Sequence, residues 1–223
     1  MSLLLLLGNS SGGVQPNKLA RFNGTTDYAT IENFLMPGSE GTLMILCKLD
    51  VATPGDGTTG IVDLGVPAAG SHYPYSTGDA YISCFRSSRV GPFALSGSVD
   101  RTEWHWFIVR DNAGSGWEFL QGTTAGVLYS CSTQTHEYFS TTMNGSTIGA
   151  NSQANLFNGD MDRFLLFSTR LSDAQILAVI AGGNGTSPLI RYEFSSNAGG
   201  IFADASGNGY DATISGTPTI ETV

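Results

Sequence analysis

The 223-residue chain predicts an all-β protein, a two-sheet antiparallel sandwich carrying one short helix near residues 172–181. Three observations support this. Short apolar runs recur between clusters of Gly, Pro, Asn, Asp and Ser, charge is sparse, and a single segment has helical rather than alternating periodicity. Hydrophobic residues make up 41% and charged residues 13%, with 29 glycines, which suits a turn-rich β protein with a filled core. One large β domain accommodates this length.

Candidate strands are 27–33, 41–49, 59–64, 79–86, 104–110, 117–121, 126–131, 146–150, 161–168 and 189–194. They are rich in β-branched and aromatic residues, which fit a pleated, half-buried surface. The run MDRFLLF directs Met161, Phe164 (with a bulge) and Leu166 toward one layer, and it is apolar enough to be buried on both faces. Trp104 and Phe107 are expected to fill the inter-sheet core. Gly24 and Gly159 supply turn geometries closed to other residues.

The helix is specified at both ends. Ser172 caps it, Gln175 stands where a capping box requires it, and Asp173 complements the dipole. Ile176, Leu177, Val179 and Ile180 form an apolar face, and Gly182–Gly183 provides the stop. About ten residues do not hold a helix in water, so it must pack on a sheet.

Composition narrows the function classes. The net charge is −9, with Lys18 and Lys48 the only lysines, so no basic footprint for nucleic acid is present. Leu3 to Leu7 is a run of five apolar residues, against the ~20 a spanning helix needs, so neither membrane insertion nor an export signal is expected. Residues 1–17 read as an apolar tail or edge strand, buried in the fold or docked on another subunit. Cys47, Cys84 and Cys131 have no metal or redox spacing and are read as buried thiols, with a disulfide between two of them the alternative. Sequons at Asn9, Asn23, Asn144 and Asn184 carry little weight in a chain this rich in Asn, Ser and Thr.

The motifs, taken in order, resemble the laminin-G-like, concanavalin A-like jelly-roll family. Leu19-Ala20-Arg21-Phe22-Asn23-Gly24 with Asp27-Tyr28-Ala29-Thr30-Ile31 resembles its opening strand pair. Glu103 to Val109 resembles its central Trp-His strand. Ser146 to Gly149 and Phe157 to Asp162 resemble its Ile-Gly and Phe-x-Gly strands, and Leu171-Ser172 with Gln175-Ile176 its closing helix. A strand at 188–194 and the turn Asp204-Ala205-Ser206-Gly207-Asn208-Gly209 stand last here, whereas the family commonly places them first. The resemblance implies one jelly roll over 18–223, with 188–223 a permuted C-terminal strand segment of the same domain.

The resemblance raises three chemistries. Hydrolysis needs two carboxylates about 5–10 Å apart, and the Glu-x-Asp-x-x-Glu pattern of the family's hydrolases is absent. Asp160 and Asp162 have alternating spacing but match a binding-type turn, and His72, His105 and His136 sit in no nucleophile context, so no enzyme is expected. Calcium is the candidate cofactor, as a structural ion held by Asp204, Asn208 and Asp211 with Asp27 or Asp162 joining. An Asx-turn is the competing reading of Asp204. Sugar binding would use aromatic platforms, for which Tyr73 and Tyr75 of the long loop 65–79 and Trp117 are the candidates.

The preferred expectation is a non-enzymatic virion-surface protein, a phage capsid decoration or tail component. It would be made in the host cytoplasm, form a homo-oligomer, and contact other virion proteins through the tail and edge strands. The alternative is a lectin-like module, calcium-assisted, that binds cell-surface glycans on a receptor-binding fibre.

Overall fold

A computed structural model describes residues 18–32, 34–38, 40–50, 60–64, 102–111, 116–130, 145–150, 156–183 and 186–222. For Thr59, Asn151, Asn155, 73–77, 81–86, 88–94 and 131–133 it describes the backbone alone. The tail 1–17, His72, His136 and the sequons at Asn9, Asn144 and Asn184 lie outside the described residues.

The described residues begin with β1 (Lys18–Asn23), β2 (Tyr28–Ile31), β3 (Thr42–Leu49), β4 (Thr59–Gly60) and β5 (Val62–Asp63). A hairpin series follows as β6 (Tyr73–Thr77), β7 (Tyr81–Arg86) and β8 (Ser88–Ala94), then β9 (His105–Asp111), β10 (Trp117–Thr123) and β11 (Leu128–Thr133). Next come β12 (Ser146–Ile148), β13 (Ala150–Asn151), β14 (Asn155–Leu156), β15 (Asn158–Phe167) and the helix α1 (Asp173–Ile180). The chain closes with β16 (Ile190–Tyr192), β17 (Ile201–Phe202), β18 (Ala212–Ser215) and β19 (Thr219–Thr222).

Two antiparallel sheets form the sandwich. The larger runs β11-β10-β9-β3-β15-β1-β19 with β16 also on β15, and the smaller runs β17-β18-β2-β12-β5. The predicted all-β jelly-roll sandwich with one short helix is therefore observed. The C-terminal strands return to the start of the chain, where β18 pairs with β2 and β19 with β1.

The core has two layers. Phe22, Ile31, Ile45, Phe107, Phe119 and Phe202, among others, fill the space between the sheets. On the outer face of the larger sheet, Met44, Leu46, Trp106, Ile108, Leu165 and Phe167 pack beneath Ile176, Val179 and Ile180 of α1. Each such side chain contributes about 1.5–3 kcal/mol by leaving water. This second layer explains why MDRFLLF lacks a polar face. Met161, Phe164 and Leu166 point inward, Leu165 and Phe167 lie under the helix, and the register shifts between Met161 and Arg163 as a bulge requires.

The helix forms as its sequence specifies. Ser172 accepts the Gln175 N–H, Gln175 returns its side chain to the Ser172 N–H, and Gly182 follows at φ 82°. The buried Arg110 on β9 clamps its start, donating to Leu171 O at 3.0 Å and pairing with Asp173 at 2.6 Å and Glu118 at 2.8 Å. Gly159 is the glycine whose freedom matters most, since at φ 155° a Cβ would strike the Lys48 carbonyl of the neighbouring strand.

Two expectations are corrected. Phe107 enters the inter-sheet core, but Trp104 lies half-buried on the opposite face beside the helix layer, under the Lys48 ammonium at 5.3 Å. The loop expected over 65–79 contains a strand, β6, paired with β4 and β7.

Candidate functional site

The outer face of the larger sheet is the part of the sandwich that the helix covers incompletely. Where α1 ends, the chain turns back through residues 186–189 into β16, and a cleft of about 370 Å³ opens between the helix end and β15–β16. That volume falls within the ~300–1,000 Å³ range of small-molecule sites. Leu165, Phe167 and Val179, only 6%, 1% and 7% exposed, lie at its base, and Arg163, Arg191, Thr186 and Ser187 supply its polar lining. Strand pairing assembles the arginines, because Leu165 and Arg191 are register partners on β15 and β16.

The local charges are partly compensated. Arg191 pairs with Glu193, and Arg163 Nε contacts Asp162 at 3.3 Å. Asp162 sits at the bulge of β15 with only 6% of its side chain exposed. Burial pushes its pKa up to about 6, with Arg163 opposing the rise and Glu193 adding to it. Farther along the same face, Asp160 is held between Arg21 at 2.9 Å and Lys48 at 3.1 Å, and Arg21 also pairs with Asp50. Asp160 is thus committed to an ion-pair network, and the bulge breaks the simple alternation that Asp160 and Asp162 had suggested.

The predicted aromatic platforms fare differently. Trp117 is 3% exposed and belongs to the inter-sheet core, so it offers no ring to a sugar. It follows a loop in sequence, but β10 is flanked by β9 and β11, and its inward face is covered. Tyr73 and Tyr75 lie on β6, and their side chains are outside the described residues. The thiol of Cys47 is buried, which raises its pKa, while the side chains of Cys84 and Cys131 are also outside the described residues.

The calcium candidates divide among separate structures. Asp204 Oδ1 accepts the N–H groups of Arg191 at 3.0 Å and Ser206 at 2.9 Å, and Oδ2 accepts the Ser206 hydroxyl at 2.8 Å and the Tyr210 N–H at 3.1 Å. Four donors fill the lone-pair positions of a carboxylate. Three N–H groups and one hydroxyl present positive ends where a cation would have to sit, so the Asp204 carboxylate does not fit a calcium ion. Burial alone would raise its pKa, yet these hydrogen bonds outweigh burial and hold it below the usual carboxylate range. Asp211 accepts the Asp204 N–H at 2.8 Å, and Asn208 donates to Leu189 O at 3.0 Å, so both serve the same turn. Asp27 is buried in the β1–β2 turn and Asp162 lies on β15. Among the described residues no group of three or more His, Cys, Asp or Glu is arranged to hold a metal.

Sequence reasoning missed the cleft. Its signals were the arginines of DRFLLF and IRYEF, which are informative only once β15 and β16 are known to pair.

No family model matches the chain, and no curated protein matches its sequence. Solved structures do match in shape. A candidate carbohydrate-binding protein from Bacteroides ovatus aligns with a TM-score of 0.70 at 15% identity, over 94% of this chain and 61% of its own. The chain therefore spans about three fifths of that protein. A heptameric SAP-like pentraxin from Limulus polyphemus aligns with a TM-score of 0.54 at 13% identity, over 74% of this chain and 82% of its own. The CBM40 of Ruminococcus gnavus IT-sialidase gives 0.51 at 14% identity, over 74% of this chain and all of its own. At such identities the likeness is one of fold, and by fold this chain is a β-sandwich jelly roll of the kind those proteins share.

Proposed function

We propose that this protein is a non-enzymatic carbohydrate-recognition module whose ligand sits in the cleft between the end of α1 and β15–β16. The observation that carries the reading is the make-up of the cleft. Arg163, Arg191, Thr186 and Ser187 offer polar groups to sugar hydroxyls, above a base in which Leu165, Phe167 and Val179 are almost wholly buried. No carboxylate residue lines the cleft among the described residues, whereas glycoside hydrolysis needs two flanking the bond. That supports binding over turnover, and binding without calcium.

The likeness to the Bacteroides ovatus protein, itself a candidate carbohydrate-binding protein, supports the same reading by analogy of fold alone. None of the comparisons bears on a virion-surface role, and the tail 1–17 on which it depended lies outside the described residues.

The test is a glycan array with the purified protein beside a Ser187→Trp variant. Ser187 is exposed at the cleft, so the indole should fill it without disturbing the core. Specific hits that vanish in the variant support the reading. A blank array, or hits indifferent to the variant, counts against it.

A further inference from the structure

We propose that the cleft selects an acidic saccharide, a hexuronic acid, with Arg163 and Arg191 as its two carboxylate-binding groups. The inference rests on the carbohydrate-recognition reading and names its ligand class. Two of the four polar residues lining the cleft are arginines on adjacent strands, donors that serve a sugar hydroxyl but match a carboxylate better. A planar guanidinium matches a carboxylate with two parallel hydrogen bonds.

Both arginines have capacity to spare. Arg163 commits its Nε to Asp162, and its terminal nitrogens have no ion-pair partner among the described residues. Arg191 is held by Glu193, but the two side chains are 39% and 41% exposed, and such a pair is worth little in water. Glu193 does not line the cleft, but it competes for the Arg191 guanidinium and is weakly enough held to yield. The net charge of −9 does not decide the matter, because charges beyond the Debye length of about 8 Å at physiological salt are screened. Nearby, Asp162 and Glu193 partly offset the two arginines.

Glucuronic and galacturonic acids differ from glucose and galactose at C6 alone, so titrating oligosaccharides of the four sugars isolates the carboxylate. The acidic ligands are expected to bind at least about tenfold tighter, which corresponds to ~1.4 kcal/mol. Arg163→Gln and Arg191→Gln should each remove that preference, lowering the affinity for acidic ligands by more than that for neutral ones, while Arg191→Lys retains part of it. Glu193→Gln should strengthen acidic binding severalfold by removing the internal competitor. Equal affinity for acidic and neutral ligands, or a preference indifferent to both Gln variants, overturns the proposal and leaves the carbohydrate reading standing. No binding of either set removes the reading and the proposal together.

Discussion

The Asp27 carboxylate accepts the backbone N–H of Thr217 at 2.8 Å, joining turns that lie 190 residues apart in the chain. Its other contacts are local, from the Asn23 N–H at 3.1 Å and the Thr26 hydroxyl at 3.1 Å. Asp27 is 1% exposed, so its hydrogen bonds are made out of water. The β1–β2 turn is thereby fastened to the β18–β19 turn, and the last segment of the chain closes on the first. Asp27→Ala should cost about 2–4 kcal/mol, since it strips buried N–H groups of a charged acceptor. Urea unfolding checks this, and a loss below about 0.5 kcal/mol, the scale of an ordinary surface change, would refute the role.

Asp204 should act as a turn fastener rather than a metal ligand. Asp204→Ala is expected to lower stability by about 1–3 kcal/mol by leaving its donors unpaired, while melting temperature should be the same in calcium and in EDTA. Its folded pKa lies below the unfolded value, so its contribution is present above pH ~4 and is lost as pH falls through the folded value. The gap between wild type and variant should narrow in acid. A melting shift on adding calcium would contradict this account.

Asp162 has the opposite sign. With its pKa raised to about 6 from 3.8, the folded protein holds a proton between those values that the unfolded chain has released. Stability from this group therefore falls as pH rises through that window, and the penalty is complete above it. Asp162→Asn should be more stable than wild type by ~1–3 kcal/mol at pH 7.5 and nearly equal to it at pH 4. Paired denaturation curves at the two pH values test this, and a pH-independent difference would refute it.

Trp117→Ala should damage the fold rather than a binding surface. Removing this buried indole is expected to cost about 3–5 kcal/mol, and any loss of ligand should track the unfolded fraction. A folded variant of near wild-type stability that had lost sugar binding would restore the platform reading.

Much of the fold was legible because turn chemistry and β-rich runs are local signals. The capping box at Ser172 and Gln175 and the bulged inward set Met161, Phe164 and Leu166 were read correctly from spacing. Which face a residue takes was harder, because α1 covers the outer face of the larger sheet and removes the polar half of the alternation. Trp104 and Phe107 both read as core for that reason, and Trp104 proved to belong to the outer face. The strand β6 was hidden by Pro74, which reads as loop in isolation. The cleft was least legible, since Arg163 and Arg191 meet only through pairing of strands that the helix separates in sequence.

The most direct test is to map a bound saccharide by amide chemical-shift perturbation in the isotopically labelled protein. The account predicts shifts concentrated at Arg163, Leu165, Thr186, Ser187 and Arg191, with saturation that follows ligand concentration. Shifts centred elsewhere, at Trp104 and Lys48 or at β6, or a spectrum unmoved by every saccharide offered, would contradict it.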